Sequence, residues 1–319
     1  MVSMKDIAQH LHLSRCTVSN ILNDRLQDKS YRKETIELVR NTAKEMGYVS
    51  NRLAKSLKTG STGTIAIVVP DIANTFYIKI IKEVERQANR FGYSLIICMA
   101  EEILEKENSA LIMLQSRCVD GVLISPVSYR DSLQKEYPFK IVCFDRAVEG
   151  DRFPHVLIDN RAAGYTLTEK LLNDGARAPL FLAGSCNDYT VKERFEGFCD
   201  ALRAHGATPN AANCLTGIYE EQAAHRAMLD AIDAGLEFDS VLLCTNYFVY
   251  GVLRALRTSG RQIVSIGGFE RFGGRDLFME NMHIIDQPEE EMGRAAFGML
   301  YKLLNGEQAQ SQLLQHHVF

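Results

Sequence analysis

The 319-residue sequence lacks the long apolar segments that mark membrane and exported proteins. It has no run of about 18 apolar residues, and its start, MVSMKDIAQH, contains no apolar signal-peptide segment. The eight cysteines are scattered singly without a CxxC pair, and Cys98, Cys143 and Cys244 lie in apolar runs. We therefore expect a cytoplasmic protein with reduced, buried thiols, no disulfide framework, no metal site and no membrane association.

Motifs that would indicate an enzyme are also missing. The sequence contains neither GxGxxG nor GxxxxGK[ST], the glycine-rich loops that bind nucleotide phosphates. No Ser, His and Asp set for nucleophilic catalysis is evident, since the eight histidines lie mostly in helical or terminal positions. We expect no cofactor and no enzymatic activity. The alternative is an α/β small-molecule-binding protein or an enzyme acting on a sugar or a nucleotide.

The distribution of charge separates a small basic part from a larger acidic one. A composition of 46% hydrophobic and 24% charged residues is typical of a globular chain with two or three domains. Residues 1–60 contain eleven Lys and Arg against six Asp and Glu, a net charge of +5, whereas residues 61–319 carry a net charge of −9. A basic module on an acidic body suggests a polyanionic partner.

The basic part has the pattern of a helix-turn-helix. Apolar residues recur at helical spacing over 4–11, over SRCTVSNILN at 14–23 and over 33–46, and only HLS separates the first two segments. In SRCTVSNILN, Val18 and Ile21 share one side of the helix, and Arg15 and Asn20 share the opposite side. Ser14 is a suitable N-cap. Residues 51–57 could add a short helix of about two turns, which would be marginal in isolation.

From residue 64 onward, nine short apolar runs alternate with amphipathic helices such as 77–91. Near-continuous Val, Ile and Leu runs indicate parallel strands that are covered on both faces, and two similar halves dividing near Asn160 predict two doubly wound lobes. Ligands in such folds bind beyond the carboxyl ends of the strands. Polar residues follow several of the runs: Asp71, Asn74, Asp145, Arg146, Asn246, Glu270 and Gln287.

Three segments together resemble the LacI family of bacterial transcription regulators: MKDIAQHLHLSRCTVSNILN, GYVSNRLAKSLKTG and TIAIVVPDIANTFY. The resemblance covers essentially the whole chain. It implies an all-α helix-turn-helix headpiece (1–48), a hinge helix and linker (49–60) and an α/β core of two parallel-sheet lobes (61–319). The first lobe would comprise about 61–160 plus 288–319, and the second about 161–287. It also implies a homodimer on a pseudo-palindromic double-stranded operator.

The resemblance assigns DNA-binding roles to two segments. In the recognition helix these residues are Ser14, Arg15, Cys16, Thr17, Ser19, Asn20 and Asn23; in the hinge they are Asn51, Arg52, Ala54 and Leu57. Arg15 and Cys16 occupy base-reading positions, and Leu57 would enter the minor groove as a wedge. Asn20 replaces a common arginine, and asparagine suits adenine rather than guanine. His12 replaces a turn glycine and therefore requires a left-handed conformation.

The resemblance places an effector site between the two lobes. Its residues are Asp71, Asn74, Phe76, Tyr77, Asp145, Arg146, Arg194, Asn246, Glu270 and Gln287. Aromatic faces with convergent carboxylate, guanidinium and amide groups suit a sugar. Glu270 replaces the usual aspartate and Tyr247 replaces an aspartate that often follows the asparagine, so the identity of the sugar stays open. The two arginines leave a sugar acid or sugar phosphate possible.

The leading hypothesis is a repressor of carbohydrate-utilisation genes whose operator affinity is controlled by a sugar or sugar derivative. A ligand exerts such control only through its difference in affinity between two states of the protein. The sequence does not distinguish an inducer from a corepressor. A transport-type binding protein is the other rival, and the expected absence of a signal peptide argues against it.

Overall fold

The computed structural model describes residues 2–22, 31–48, 60–270 and 281–318. The chain divides into two compact units, Met1–Thr62 and Gly63–Phe319. Asn23, Asn51, Arg52, Ala54 and Leu57, for which DNA contacts are predicted, lie outside the described residues. No described helix has the length and apolar character needed to cross a bilayer.

The first unit contains three helices, α1 (Met4–His10), α2 (Arg15–Leu22) and α3 (Lys33–Glu45). Their apolar sides meet around Ile7, Val18, Ile21 and Val39, which are fully buried. The three predicted helices are therefore confirmed, with ends that differ by one residue or so.

Capping residues mark the starts of α1 and α2, and a tight turn separates the two helices. Ser3 and Asp6 form a capping box at the start of α1. The predicted N-cap of α2 is confirmed, since Ser14 Oγ accepts a hydrogen bond from the backbone N–H of Thr17 at 3.0 Å. His12 has φ 54°, the left-handed turn expected at this position.

The second unit contains two six-stranded sheets, each of which forms one lobe. The first sheet has the strand order β11-β5-β4-β3-β1-β2 and is entirely parallel in its pairings. Its strands are β1 (Thr64–Val69), β2 (Ser94–Met99), β3 (Gly121–Ile124), β4 (Lys140–Phe144), β5 (His155–Ile158) and β11 (Gln312–Leu314). Its helices are α4 (Thr75–Arg90), α5 (Leu104–Ser116) and α10 (Glu289–Leu304), and a 3₁₀ turn covers Glu149–Asp151.

The second sheet has the order β12-β10-β9-β8-β6-β7 and is parallel except for β12, which pairs antiparallel with β10. Its strands are β6 (Pro179–Leu182), β7 (Cys214–Leu215), β8 (Ser240–Leu243), β9 (Ser265–Phe269), β10 (Met282–Asp286) and β12 (His317–Val318). Its helices are α6 (Asn160–Asn173), α7 (Tyr189–Ala204), α8 (Glu221–Asp233) and α9 (Val249–Ser259). Short 3₁₀ turns cover Ala211–Asn213 and Asn246–Phe248.

The chain crosses between the lobes three times. It passes to the second sheet after β5, returns after β10 so that α10 packs on α4 and β4, and crosses again between β11 and β12. The sequence-based boundary that gives 288–319 entirely to the first lobe is therefore wrong for the last strand. Backbone pairing of Ile285 with Val318 places β12 on the second sheet.

All nine apolar runs form strands, and β3, β6, β8 and β9 are buried along their whole length. Cys98, Cys143 and Cys244 are buried free thiols, as expected. In the second lobe, α6 and α7 pack closely at Gly164. A Cβ atom at that position would lie 2.3 Å from the carbonyl oxygen of Arg194. Gly164 thus allows the backbone of α7 to approach α6 closely at Arg194.

Candidate functional site

The outer side of α2 carries the residues predicted to contact DNA. Arg15 and Cys16, in its first turn, are exposed, whereas Val18 and Ile21 are buried. Ser14 Oγ also lies 2.8 Å from Thr17 Oγ1, so the hydroxyls of these two predicted DNA-contacting residues are paired. Ser19 is half-buried and has an interaction of its own.

Asn20 differs from the expectation of a free outward side chain. It is half-buried, and its Nδ2 donates to the hydroxyl of Tyr31 at 3.0 Å and to Cys16 Sγ at 3.8 Å. Tyr31 lies before α3 and packs on the headpiece core. The sequence pattern places Asn20 on the correct side of α2 but misses the tyrosine that contacts it.

In the core, the carboxyl ends of the first-lobe strands bring together Tyr77, Ser125 and Asp145. The Tyr77 hydroxyl donates to Asp145 Oδ2 at 2.8 Å, and Ser125 Oγ donates to the same oxygen at 3.3 Å. Asp145 follows β4 in the left-handed conformation, with φ 62°. Burial raises the pKa of Asp145, against the opposing effect of the Arg146 and Arg194 charges.

Arg146 connects the two lobes. Its Nη1 and Nη2 each donate to a carboxylate oxygen of Glu102 at 2.8 Å, and Nη2 lies 3.0 Å from Asp188 Oδ2. Glu102 follows β2 in the first lobe, whereas Asp188 caps α7 in the second. Burial lowers the pKa of Arg146, but the charges of Asp188 and Glu102 outweigh this effect and raise it. Asp145 Oδ2 also lies 3.7 Å from Arg146 Nε, so the charged guanidinium is shared by three carboxylates.

Arg194 is held by neutral groups. Its Nε donates to Asn160 Oδ1 at 2.8 Å, its Nη1 donates to the carbonyl oxygen of Cys244 at 2.5 Å, and its guanidinium carbon lies 3.5 Å from the ring centroid of Phe269. The side chain is only 4% exposed. Within the described part of the chain, no carboxylate lies within 4 Å of it. Among the described residues, Arg194 therefore has no direct ion-pair partner, although its charge acts on Asp145 at longer range.

Glu270 and Gln287 form a buried pair at the ends of β9 and β10. Gln287 Nε2 donates to Glu270 Oε1 at 3.1 Å, and Glu270 adopts φ 68°. Among the described residues, Glu270 Oε2 and Gln287 Oε1 have no hydrogen-bond partner. Burial raises the pKa of Glu270 to about 8, against the opposing charge of Arg194, so the carboxyl is largely protonated at neutral pH.

The other predicted effector residues have local roles in the described structure. Asp71 Oδ1 accepts from the backbone N–H of Ala73 at 2.8 Å, and Asn74 caps α4 by accepting from that of Phe76 at 3.0 Å. Phe76 is buried edge-on to Tyr77, with ring centroids 5.1 Å apart. Asn246 is buried in its 3₁₀ turn.

Comparison with known proteins decides the family. The family described as periplasmic binding proteins and the sugar binding domain of the LacI family matches residues 62–319. The chain belongs to the LacI family. It is 28% identical to the HTH-type transcriptional regulator RegA of Clostridium saccharobutylicum over 99% of this chain and 97% of RegA. It is also 28% identical to the ribose operon repressor of Halalkalibacterium halodurans, over 95% of this chain and 90% of that protein.

The fold agrees with that of the LacI-family lac repressor dimer bound to operator and an anti-inducer, at a TM-score of 0.85. That likeness covers 99% of this chain and 97% of the repressor chain at 20% identity. The predicted fold class, a helical headpiece with two parallel-sheet lobes, is confirmed. This LacI-family chain is a DNA-binding transcription regulator, and its named relatives are regulators and not enzymes.

Four residues of this LacI-family cleft are missing from the sequence prediction: Glu102, Ser125, Asn160 and Asp188. Three of them follow apolar strand runs, so the rule that selected Asp145 would also have found Glu102, Ser125 and Asn160. Asp188 carries a different signal, since it is the N-cap of a helix. Its contact with Arg146, 42 positions away, depends on how the lobes meet and has no local pattern.

Proposed function

We propose that this chain is a homodimeric repressor of carbohydrate-utilisation genes, acting in the cytoplasm, whose operator affinity is set by a sugar bound between the two core lobes. The proposed domain organisation is a headpiece at 1–48, a hinge and linker at 49–60, and an effector-binding and dimerisation core at 61–319. The ribose operon repressor named above supports the carbohydrate class.

The observation that carries the proposal is the buried polar cluster formed where the lobes meet. Tyr77, Asp145 and Arg146 come from the first lobe, and Arg194 and Glu270 from the second. Among the described residues, Glu270 Oε2, Gln287 Oε1 and Arg146 Nε are buried without a hydrogen-bond partner, and each can bind a hydroxyl group of a ligand. Burying such groups is costly unless a partner satisfies them, and a polyol supplies both donors and acceptors.

The charges of the cluster favour a neutral sugar over a sugar acid. Arg146 is shared by Glu102, Asp188 and Asp145, and the charge of Arg194 also acts on Asp145. In their ionised forms these three carboxylates outnumber the two guanidinium groups, and a protonated Glu270 adds no charge. An added carboxylate or phosphate would enter a site with excess negative charge, which is unfavourable in a water-excluded region.

A ligand screen by thermal shift tests the effector class, because a ligand that binds the native state raises the melting temperature by mass action. We expect a neutral sugar to raise it and the matching sugar acid or sugar phosphate to have little effect. The R194M variant serves as the site control and should lose the shift. A nucleobase that raises the melting temperature while every carbohydrate leaves it unchanged would overturn the sugar proposal.

A separate experiment tests the proposal that the headpiece binds DNA. The full chain should retard a selected operator fragment in a gel, and a chain without residues 1–60 should not, although it should still show the sugar-dependent thermal shift. Retardation that persists without residues 1–60 would contradict the assignment of the headpiece.

A further inference from the structure

Asn20 has an unusual environment for a residue on the outer side of a recognition helix. Its amide nitrogen is bonded on both sides within the headpiece, to the Tyr31 hydroxyl at 3.0 Å and to Cys16 Sγ at 3.8 Å. Tyr31 is eleven residues away along the chain and is partly buried against the headpiece core. This packing places its hydroxyl at a defined point beside α2.

The two contacts account for both N–H groups of the amide. An asparagine side chain has two N–H donors and one carbonyl acceptor. The tyrosine oxygen is the stronger partner at 3.0 Å, because a thiol sulfur is a weak acceptor. Within the described part of the headpiece, Asn20 Oδ1 accepts no hydrogen bond. The group that Asn20 has available for a partner is therefore its carbonyl oxygen.

This orientation changes which bases the residue can recognise. Asparagine reads adenine by donating to N7 and accepting from the N6 amino group at the same time. Because Tyr31 and Cys16 engage the N–H groups of Asn20, only its carbonyl oxygen is available to bind a base. In the major groove, adenine N6 and cytosine N4 both offer an amino group, whereas guanine and thymine present acceptors at the corresponding positions.

We infer that Tyr31 is a positioning residue for DNA recognition: its hydroxyl fixes Asn20 as a hydrogen-bond acceptor, so that the operator position facing Asn20 accepts either adenine or cytosine. The inference rests on the proposed DNA-binding function, with α2 lying in the major groove as the second helix of a helix-turn-helix. It refines the expectation, drawn from the residue type alone, that Asn20 suits adenine rather than guanine.

The test is selection from a randomised operator library with the full-length protein, followed by affinity measurements on the four single-base variants. The position is identified as the one where N20A loses its base preference. For the unmodified protein we expect adenine and cytosine to bind within about threefold of each other and both guanine and thymine to bind more weakly. Guanine or thymine preferred at that position would overturn the inference.

The Y31F variant separates positioning from packing, because it keeps the ring and removes only the hydroxyl. With a donor of Asn20 released, two-point recognition becomes available, and adenine should be preferred over cytosine by about fivefold or more. Y48F is the matched control, since Tyr48 also packs partly buried on the headpiece core, and its base profile should equal that of the unmodified protein. A Y31F profile that does not change would contradict the role of Tyr31.

If the protein does not bind an operator, the selection experiment gives a different result. If the unmodified protein enriches no DNA sequence at all, then the proposed operator binding is wrong and the role of Tyr31 falls with it. The protein could instead enrich an operator in which the base facing Asn20 shows neither the preference for adenine and cytosine nor its change in Y31F. That result would overturn only the inference about Tyr31. A thermal melt of each variant checks that the headpiece is still folded.

Discussion

Nη2 of Arg146 in the first lobe lies 3.0 Å from Oδ2 of Asp188 in the second lobe, and both side chains are more than 90% buried. The same guanidinium holds Glu102 with two hydrogen bonds at 2.8 Å. Nearby, the backbone N–H of Tyr129 donates to the carbonyl oxygen of Asn187 at 3.1 Å, and Lys192 lies 5.4 Å from the centre of the Tyr129 ring. Two sets of contacts therefore join the lobes on this side of the cleft.

The first prediction concerns this inter-lobe ion pair. Replacing Arg146 by Met leaves Glu102 and Asp188 without their cation, and breaking a buried pair in this way costs about 3–5 kcal/mol of unfolding free energy. Urea denaturation measures the loss. The control is R130M, because the Arg130–Glu149 pair is mostly exposed and its removal should produce no measurable change. Equal stability of R146M and the unmodified protein would contradict the account of the inter-lobe contact.

The second prediction follows from the pKa of Glu270, which burial raises to about 8. The folded chain then binds this proton more tightly than the unfolded chain, so the group reduces stability as pH rises between the unfolded value and about 8. The slope is at most about 1.4 kcal/mol per pH unit. E270Q keeps the shape and does not titrate. Its unfolding free energy relative to the unmodified protein should therefore increase from pH 5 to pH 8, as followed by urea denaturation.

In that comparison Asp145 is present in both proteins, so its own raised pKa largely cancels from the difference. A difference between E270Q and the unmodified protein that stays constant over this pH range would show that Glu270 is ionised in the folded chain.

The third prediction concerns the close approach of α6 and α7. A G164A substitution would bring a Cβ atom to 2.3 Å from the carbonyl oxygen of Arg194, and the backbone would have to move. We expect a loss of about 1–3 kcal/mol in stability, typical of overpacking, together with a weaker sugar-dependent thermal shift because Arg194 is displaced. G298A is the control. Among the described residues, a Cβ at Gly298 of α10 would have no atom outside its own helix backbone within 4 Å, so the change should be neutral or slightly stabilising.

The fourth prediction concerns Arg15, which is exposed in the first turn of α2. If its guanidinium reads a guanine, R15A should cost about 1–3 kcal/mol of binding free energy on the preferred operator and relax the base preference at one position. R177A removes the same charge from the surface of the core and should leave both quantities unchanged. Fluorescence anisotropy with labelled operators measures the affinities. A uniform loss on every operator would instead indicate a phosphate contact.

The predictable part of the fold is the part with strong local periodicity. Nine apolar runs predict nine strands. The strands β7, β11 and β12 are not predicted because they are only two or three residues long, and β11 and β12 also include the polar residues Gln312 and His317. The end of the chain is assigned to the wrong lobe for the same reason. Short strands of this kind are specified by pairing with a distant partner and not by their own composition.

The residues of the candidate site likewise differ in how well the sequence predicts them. Residues at strand ends, such as Asp145 and Glu270, are predictable because parallel strands end at one edge of a sheet. The partners that define their chemistry are not, since Asp188 reaches Arg146 across the lobes and Tyr31 reaches Asn20 from outside its helix. Both contacts depend on tertiary packing, which a helical or strand period does not encode.

The central claim is that a sugar in the inter-lobe cleft controls operator binding, and the most direct measurement is the operator dissociation constant of the full-length protein with and without the sugar found in the thermal-shift screen. The account predicts a change of about 5-fold to 150-fold in the unmodified protein, and no change in the R194M variant at the same sugar concentration. A sugar that binds the core but leaves the dissociation constant of the unmodified protein unchanged would contradict it.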